Sequence, residues 1–112
     1  MLFRSRGLRL ELGGEAHDFQ VAQFPVILGR STTCSLKIDD ARVSRAHARI
    51  DLMGGSLQLT DLSINGTYVR YADGEVVHIV REETVLRATG EISLGRPFAE
   101  AAVRIIRFSI AA

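Results

Sequence analysis

The chain is expected to fold as an all-β sandwich or barrel of short strands. Two observations predict this. Apolar and polar residues alternate with a period of two along almost the whole sequence, the signature of half-buried strands. Turn-forming pairs (13-GG-14, 54-GG-55, 73-DG-74) and Gly90 interrupt that alternation at the short intervals typical of sandwiches and barrels. Composition agrees: of 112 residues, 46% are hydrophobic and 24% charged, a balance that supports a packed core and argues against disorder.

Taken in order, Leu8, Leu10 and Leu12 alternate with charged residues up to 13-GG-14, and Phe19 and Val21 alternate with Gln20 and Ala22. After Pro25 the run VILG reads as a buried strand, and Leu36 and Ile38 form another that ends at Asp39-Asp40. Ala48, Ile50 and Leu52 alternate with His47, Arg49 and Asp51, and 54-GG-55 closes a hairpin onto Leu57 and Leu59. Beyond residue 66, TYVR, VVHIV, TVLRAT, EISLG and VRIIRFSI continue the pattern, for a total of about eleven strands. The competing reading of 98–112 is a helix, since it opens with Ala and Glu. Val103, Ile105 and Ile106 are β-branched, however, and Ile106, Phe108 and Ile110 alternate with Arg107 and Ser109. That favours a last strand preceded by a helical turn at 98–101.

The length suits one hydrophobic core, and with no linker, repeat or low-complexity tract residues 1–112 read as one domain. A formal net charge of +1, two tyrosines and no tryptophan disfavour a nucleic-acid partner. Lys37 is the only lysine; a GC-rich genome accounts for such an arginine bias. Cys34 is the only cysteine, so an intrachain disulfide is excluded, and its alternating surroundings suggest a small core residue. No Cys/His cluster has zinc spacing, and neither a metal nor a cofactor is expected. The arginine-bearing N-terminus lacks the apolar region of a signal peptide, and no run approaches transmembrane length. A cytoplasmic location and no membrane partner are therefore expected.

Three polar clusters fall at strand ends, where a rigid sandwich usually carries function: Gly29-Arg30, Ser44-Arg45 with His47, and Asn65-Gly66. Each has a bland reading, as a solvated turn arginine, a turn hydroxyl and an Asn-Gly turn. Arg81 and Arg87 read as a solvated strand face, and His17 and His78 as surface residues. A catalytic triad of Ser44, His47 and Asp61 can be written down. But no nucleophile elbow surrounds Ser44, and His47 opens a strand, so the chain is not expected to be an enzyme. Phosphate recognition suits the residue types better. Arg30 can give two parallel hydrogen bonds to a phosphate, Ser44 a short O–H donor, and Arg45 further charge. Asn65 can pair its amide with an extended peptide backbone.

Together LGR(30)…VSRAH(47)…LSINGT(67) resembles the forkhead-associated (FHA) domain, a phosphothreonine-peptide module on an eleven-stranded β-sandwich. The resemblance is tight over 28–70, and GEISLG resembles the family's late strand. It implies that Arg30 and Ser44 hold the phosphate, Arg45 lies beside them, and Asn65 bonds the ligand backbone. It also implies that His47 buttresses the loops and that Gly29 and Gly66 are structural. The partner implied is a phosphothreonine-containing protein or peptide in signalling. One position departs from the family pattern: a serine or threonine often precedes the Asn-Gly pair, and here Ile64 does, with Ser63 one place earlier. Ile64 has no side-chain donor, which removes one contact and is expected to weaken phosphate binding unless its backbone N–H, or Ser63 from a kinked loop, replaces it. The alternative is a phosphate-independent scaffold or intramolecular regulatory domain. The segment 70–98, longer than usual, resembles FHA units attached to bacterial adenylate/guanylate cyclase-type and other signalling proteins, which would make the chain one module of a larger protein.

Overall fold

The alternating segments become two facing β-sheets in a computed structural model that describes residues 7–100 and 103–111. The strands are β1 (Gly7–Leu12), β2 (Glu15–Phe19), β3 (Val26–Gly29), β4 (Leu36–Lys37), β5 (Ala48–Met53) and β6 (Ser56–Asp61). They continue with β7 (Thr67–Tyr71), β8 (Val76–Ile79), β9 (Glu83–Leu86), β10 (Thr89–Leu94) and β11 (Ile105–Ala111). One sheet has six strands in the order β2-β1-β11-β10-β7-β8, the other five in the order β4-β3-β5-β6-β9. All pairings are antiparallel except β3 with β4. The eleven-stranded, all-β expectation holds.

The core is the shared inner face. Leu8, Leu10, Val69, Ile92, Ile106 and Phe108 from the larger sheet join Val26, Leu28, Ile50, Leu57 and Leu59 from the smaller, all buried in one cluster. Outward positions carry the intervening charges. On the larger sheet these pair across strands, Arg9 with Asp18 and Arg70 with Glu91, so the solvent face is largely self-neutralised.

Three local expectations are corrected. Val21 does not extend a strand; Val21–Gln23 is a single 3-10 turn whose Gln20 N–H is taken by the Gln23 side chain. The turn after Pro97 is a simple one over 98–99, with Glu100 N–H on the Pro97 carbonyl; residue 101 of the expected helical turn lies outside the described residues. Gly90 is not punctuation but sits inside β10, and the break falls at Arg87-Ala88, where Ala88 has φ 48°. Glycine is required at 90 because a Cβ there would lie 2.5 Å from the Arg70 carbonyl oxygen and 2.6 Å from the Phe108 ring.

Gly90→Ala forces that ring, part of the central core, out of its position. It should destabilise the fold by about 1–3 kcal/mol, as overpacking does. Urea denaturation followed by circular dichroism checks it, and a midpoint within error of the wild type would contradict the packing account.

Candidate functional site

Four loops meet at one end of the sandwich, and backbone hydrogen bonds join them. Arg30 N–H donates to the Ser44 carbonyl (3.0 Å), Ser31 N–H to the Arg45 carbonyl (3.1 Å) and His47 N–H to the Leu28 carbonyl (2.8 Å). The β3 end and the loop before β5 can approach this closely because residue 29 has no side chain: a Cβ would stand 2.2 Å from the Arg45 oxygen.

His47 ties the loop before β5 to the loop before β7. Its ring is wholly buried, at 0% exposure. The Ser44 backbone N–H donates to Nδ1 (3.0 Å), which makes Nδ1 an acceptor and leaves the proton on Nε2 to donate to the Gly66 carbonyl (2.8 Å). That carbonyl also accepts the Gly95 N–H (2.9 Å), so a third loop, after β10, joins the same point. Gly66 has φ 87°, and a Cβ there would meet His78 Nε2 at 2.4 Å. Above it the His78 ring stacks on Tyr68 with 4.0 Å between centroids.

Behind the loop apex lies a buried carboxylate. Asp61 accepts Thr67 Oγ1–H (2.6 Å), Ser63 Oγ–H (2.7 Å), Arg81 N–H (2.9 Å) and Ser63 N–H (3.2 Å). Burial pushes its pKa up, but those donors outweigh burial and hold it below the ordinary value. For His47, burial dominates and pushes the pKa down, against smaller upward effects of the Gly66 carbonyl and Asp61.

The sequence-predicted residues then sort clearly. Arg30 is exposed and its Nε donates to the Val43 carbonyl (3.0 Å), which leaves both terminal nitrogens without a partner among the described residues. Ser44 is half-buried, and its hydroxyl has no partner among the described residues; Arg45 beside it is exposed. The Asn65 amide donates to the Arg42 carbonyl (3.0 Å), two residues before Ser44. Ile64, at 80% exposure, is the outward apex of its loop. Ser63 is not on the surface: at 1% exposure its hydroxyl donates to Asp61 and accepts the Gly66 N–H (2.8 Å), so both of its roles are spent inside the loop. The expectation that Ser63 reaches a ligand is corrected on that ground. Arg81 is exposed as expected but lies in the turn between β8 and β9 rather than on a strand; its Nε donates to the Ser63 carbonyl (2.9 Å) and its φ is 56°. Arg42 and Thr67 are further site residues that sequence reasoning passed over. Cys34 is half-buried at the site's margin, donating to the Arg45 carbonyl (3.1 Å).

No triad is assembled from Ser44, His47 and Asp61. Both ring nitrogens of His47 are engaged with backbone groups, and Nδ1 holds the Ser44 N–H rather than its hydroxyl. The ring therefore has no free nitrogen to accept a proton from Ser44.

A family model for the FHA domain matches residues 26–95, more than half of the chain. The chain belongs to the FHA family. Similar solved FHA structures include Rv1747 FHA-1 of Mycobacterium tuberculosis, at 18% identity and TM-score 0.75, covering 97% of this chain and 100% of that one. The FhaA FHA domain, in complex with the intracellular domain of Rv3910, is 27% identical with TM-score 0.63 and covers 96% of this chain and 100% of that one. The N-terminal FHA domain of Rad53p from S. cerevisiae, in complex with a phosphothreonine peptide, is 22% identical with TM-score 0.69, covering 92% and 90%. No curated protein sequence matches this chain.

The His47 bridge makes the site sensitive to acid. The folded pKa is depressed below the ordinary 6.5, so the contribution of the neutral ring is complete above about pH 6.5 and is lost as pH falls through the folded value. Asp61 acts in the same direction lower down, below 3.8. The melting temperature should therefore fall between pH 7.5 and 5.5 in the wild type. His47→Asn should melt lower at pH 7.5 yet show a flatter pH dependence, and an unchanged slope would assign the acid sensitivity elsewhere.

Proposed function

We propose that this FHA domain is a phosphothreonine-peptide reader for phosphorylation-dependent protein–protein interaction, not an enzyme. The observation that carries the reading is the pairing of Arg30 and Ser44. The guanidinium is anchored through Nε to Val43 with its outer nitrogens free, beside a hydroxyl with no partner among the described residues. A phosphate dianion satisfies both, through a bidentate arginine contact and a short O–H bond. Arg45 adds charge, the Ile64 backbone N–H a further donor, and Asn65 an amide for the ligand backbone. Charge-assisted bonds of this kind contribute roughly 1.5–3 kcal/mol each, consistent with modest, reversible binding. The phosphothreonine peptide held by the Rad53p relative supports the reading.

The same reading extends to context: a regulatory or targeting unit of a bacterial signalling protein, acting in the cytoplasm. The arginine-rich, lysine-poor composition and the mycobacterial FHA relatives support it. A second reading, a phosphate-independent scaffold or intramolecular regulatory domain, draws on the exposed Ile64.

Calorimetric titration with matched phosphothreonine, phosphoserine and unphosphorylated peptides tests the reading. Binding should require the phosphate and favour phosphothreonine, and Arg30→Ala or Ser44→Ala should each weaken it at least roughly tenfold. Equal affinity for the phosphorylated and unphosphorylated peptides would establish the scaffold reading instead.

A further inference from the structure

One arginine–carboxylate pair stands apart from the others among the described residues. The side chains of Arg96 and Asp40 are only 19% and 8% exposed, whereas every other paired arginine is at least 37% exposed. The contact is bidentate, with Nε of Arg96 on Oδ2 (2.8 Å) and Nη2 on Oδ1 (3.1 Å). Nη1 of Arg96 is taken by Glu100, so all three nitrogens of this guanidinium are engaged within the protein. A pair this shielded is screened by salt far less than a surface pair. The hydrogen bonds from Arg96 hold the Asp40 carboxyl below its ordinary value, so the carboxylate stays charged. The pair joins the connection between β4 and β5, which carries Ser44 and Arg45, to the turn after β10.

From Asp40 the constraint runs along the chain to the phosphate-binding arginine. Oδ1 of Asp40 also accepts the Arg42 N–H (2.9 Å), and its carbonyl accepts the Val43 N–H (3.0 Å), so side chain and backbone together close a turn over 40–43. The next peptide unit, Val43–Ser44, is the one that holds Arg30. Its carbonyl accepts Nε–H of Arg30 (3.0 Å), and its N–H donates to Nδ1 of His47 (3.0 Å). His47 thus grips that peptide from downstream, and the Asp40 turn sets it from upstream. The far end of the brace is fixed as well. Ser93 donates its hydroxyl to the Arg96 carbonyl, and the Gly95 carbonyl accepts Nε–H of Arg42 (3.0 Å). The turn after β10 therefore holds the loop at two points, Asp40 and Arg42, both short of Ser44.

We propose that Arg96 is a positioning residue for phosphate binding: through Asp40 it fixes the turn that presents the Val43 carbonyl to Arg30, and so orients the Arg30 fork before a ligand arrives. The proposal rests on the phosphothreonine reading of Arg30 and Ser44, and deepens it. Without a fixed acceptor at Nε, Arg30 would sample rotamers in the free protein, and the ligand would have to order it. The loss falls on the phosphate contact alone, since Arg96 itself has no nitrogen left for a ligand.

The test joins calorimetry to NMR on the full chain, with a phosphothreonine peptide and its unphosphorylated counterpart as probes. Arg96→Gln should weaken the phosphopeptide about fivefold, and in the ligand-free protein the Arg30 Nε–H signal should exchange faster with water. Arg96→Lys, which keeps the charge but not the planar fork, should recover part of both. Arg30→Lys keeps a charge but has no Nε–H for Val43 to hold, so in that background Arg96→Gln should cost no further affinity. Asp40→Asn keeps an acceptor for the Arg42 N–H and removes the charge that Arg96 pairs with. It should weaken the phosphopeptide about threefold, and carries the test if Arg96→Gln proves unstable. A variant that melts lower but binds the phosphopeptide and protects the Arg30 Nε–H like the wild type would overturn the positioning role. So would an equal loss in the Arg30→Lys background, which would show that the effect does not pass through Arg30. Equal affinity of the wild type for the two peptides would overturn the phosphothreonine reading and the recognition role with it. The Arg30 exchange, read without ligand, separates that failure from the others.

Discussion

A single neutral imidazole sets the shape of the recognition end. His47 accepts from one loop and donates to another, so the distance between Ser44 and Gly66 is fixed by the width of one ring. The neutral form is required, because an imidazolium carries two donors and would have to release the Ser44 N–H. Burial supplies that neutrality by penalising the charged ring. The glycines then make the fixed distance possible: Gly29 and Gly66 sit where a Cβ would collide with the opposite loop or with His78. Gly95 extends the brace by donating to the Gly66 carbonyl, so three loops depend on one acceptor and one ring.

Asp61 serves the same end by different means. A buried carboxylate costs desolvation, and what makes it tolerable is the full set of donors from Ser63, Thr67 and Arg81. Those donors come from two stretches of chain, the connection between β6 and β7 and the turn after β8, so the one carboxylate holds both in place. A loop that moved would strand an anion in the interior. Ser63 passes the constraint on, since the hydroxyl that donates to Asp61 accepts from Gly66. The Asn-Gly turn is thus held from both sides, by His47 on its carbonyl and by Ser63 on its N–H.

What was legible in the sequence was whatever short-range pattern encodes. Alternation located the strands because each has one face in the core, and the glycine pairs located the hairpins. Gly90 defeated that logic, since its smallness answers to the Phe108 ring across the sheet, a long-range demand with no local mark. Arg30, Ser44, His47 and Asn65 were legible as a set because their types suit one chemistry. Arg81 was not, because its position follows from a backbone bond to Asp61 twenty residues earlier in the chain. Ser63 and Ile64 show the same limit. The sequence sets a hydroxyl and a sec-butyl side chain side by side, and only the fold decides which turns inward.

That choice bears directly on how an anion is held. With Ser63 spent on Asp61 and Gly66, no side-chain hydroxyl in this loop is available to a phosphate, so the loop's direct contribution narrows to backbone N–H and the Asn65 amide. At the same end of the sandwich the Arg30 guanidinium is anchored rather than floppy, its Nε held by the Val43 carbonyl. Anchoring matters more than count: a free arginine loses rotamer entropy on binding, whereas one held at Nε has already lost it during folding. The exchange of a hydroxyl for Ile64 therefore shifts the balance at this edge. It moves from short-range hydrogen bonding towards preorganised positive charge, an interaction of longer reach and lower geometric demand.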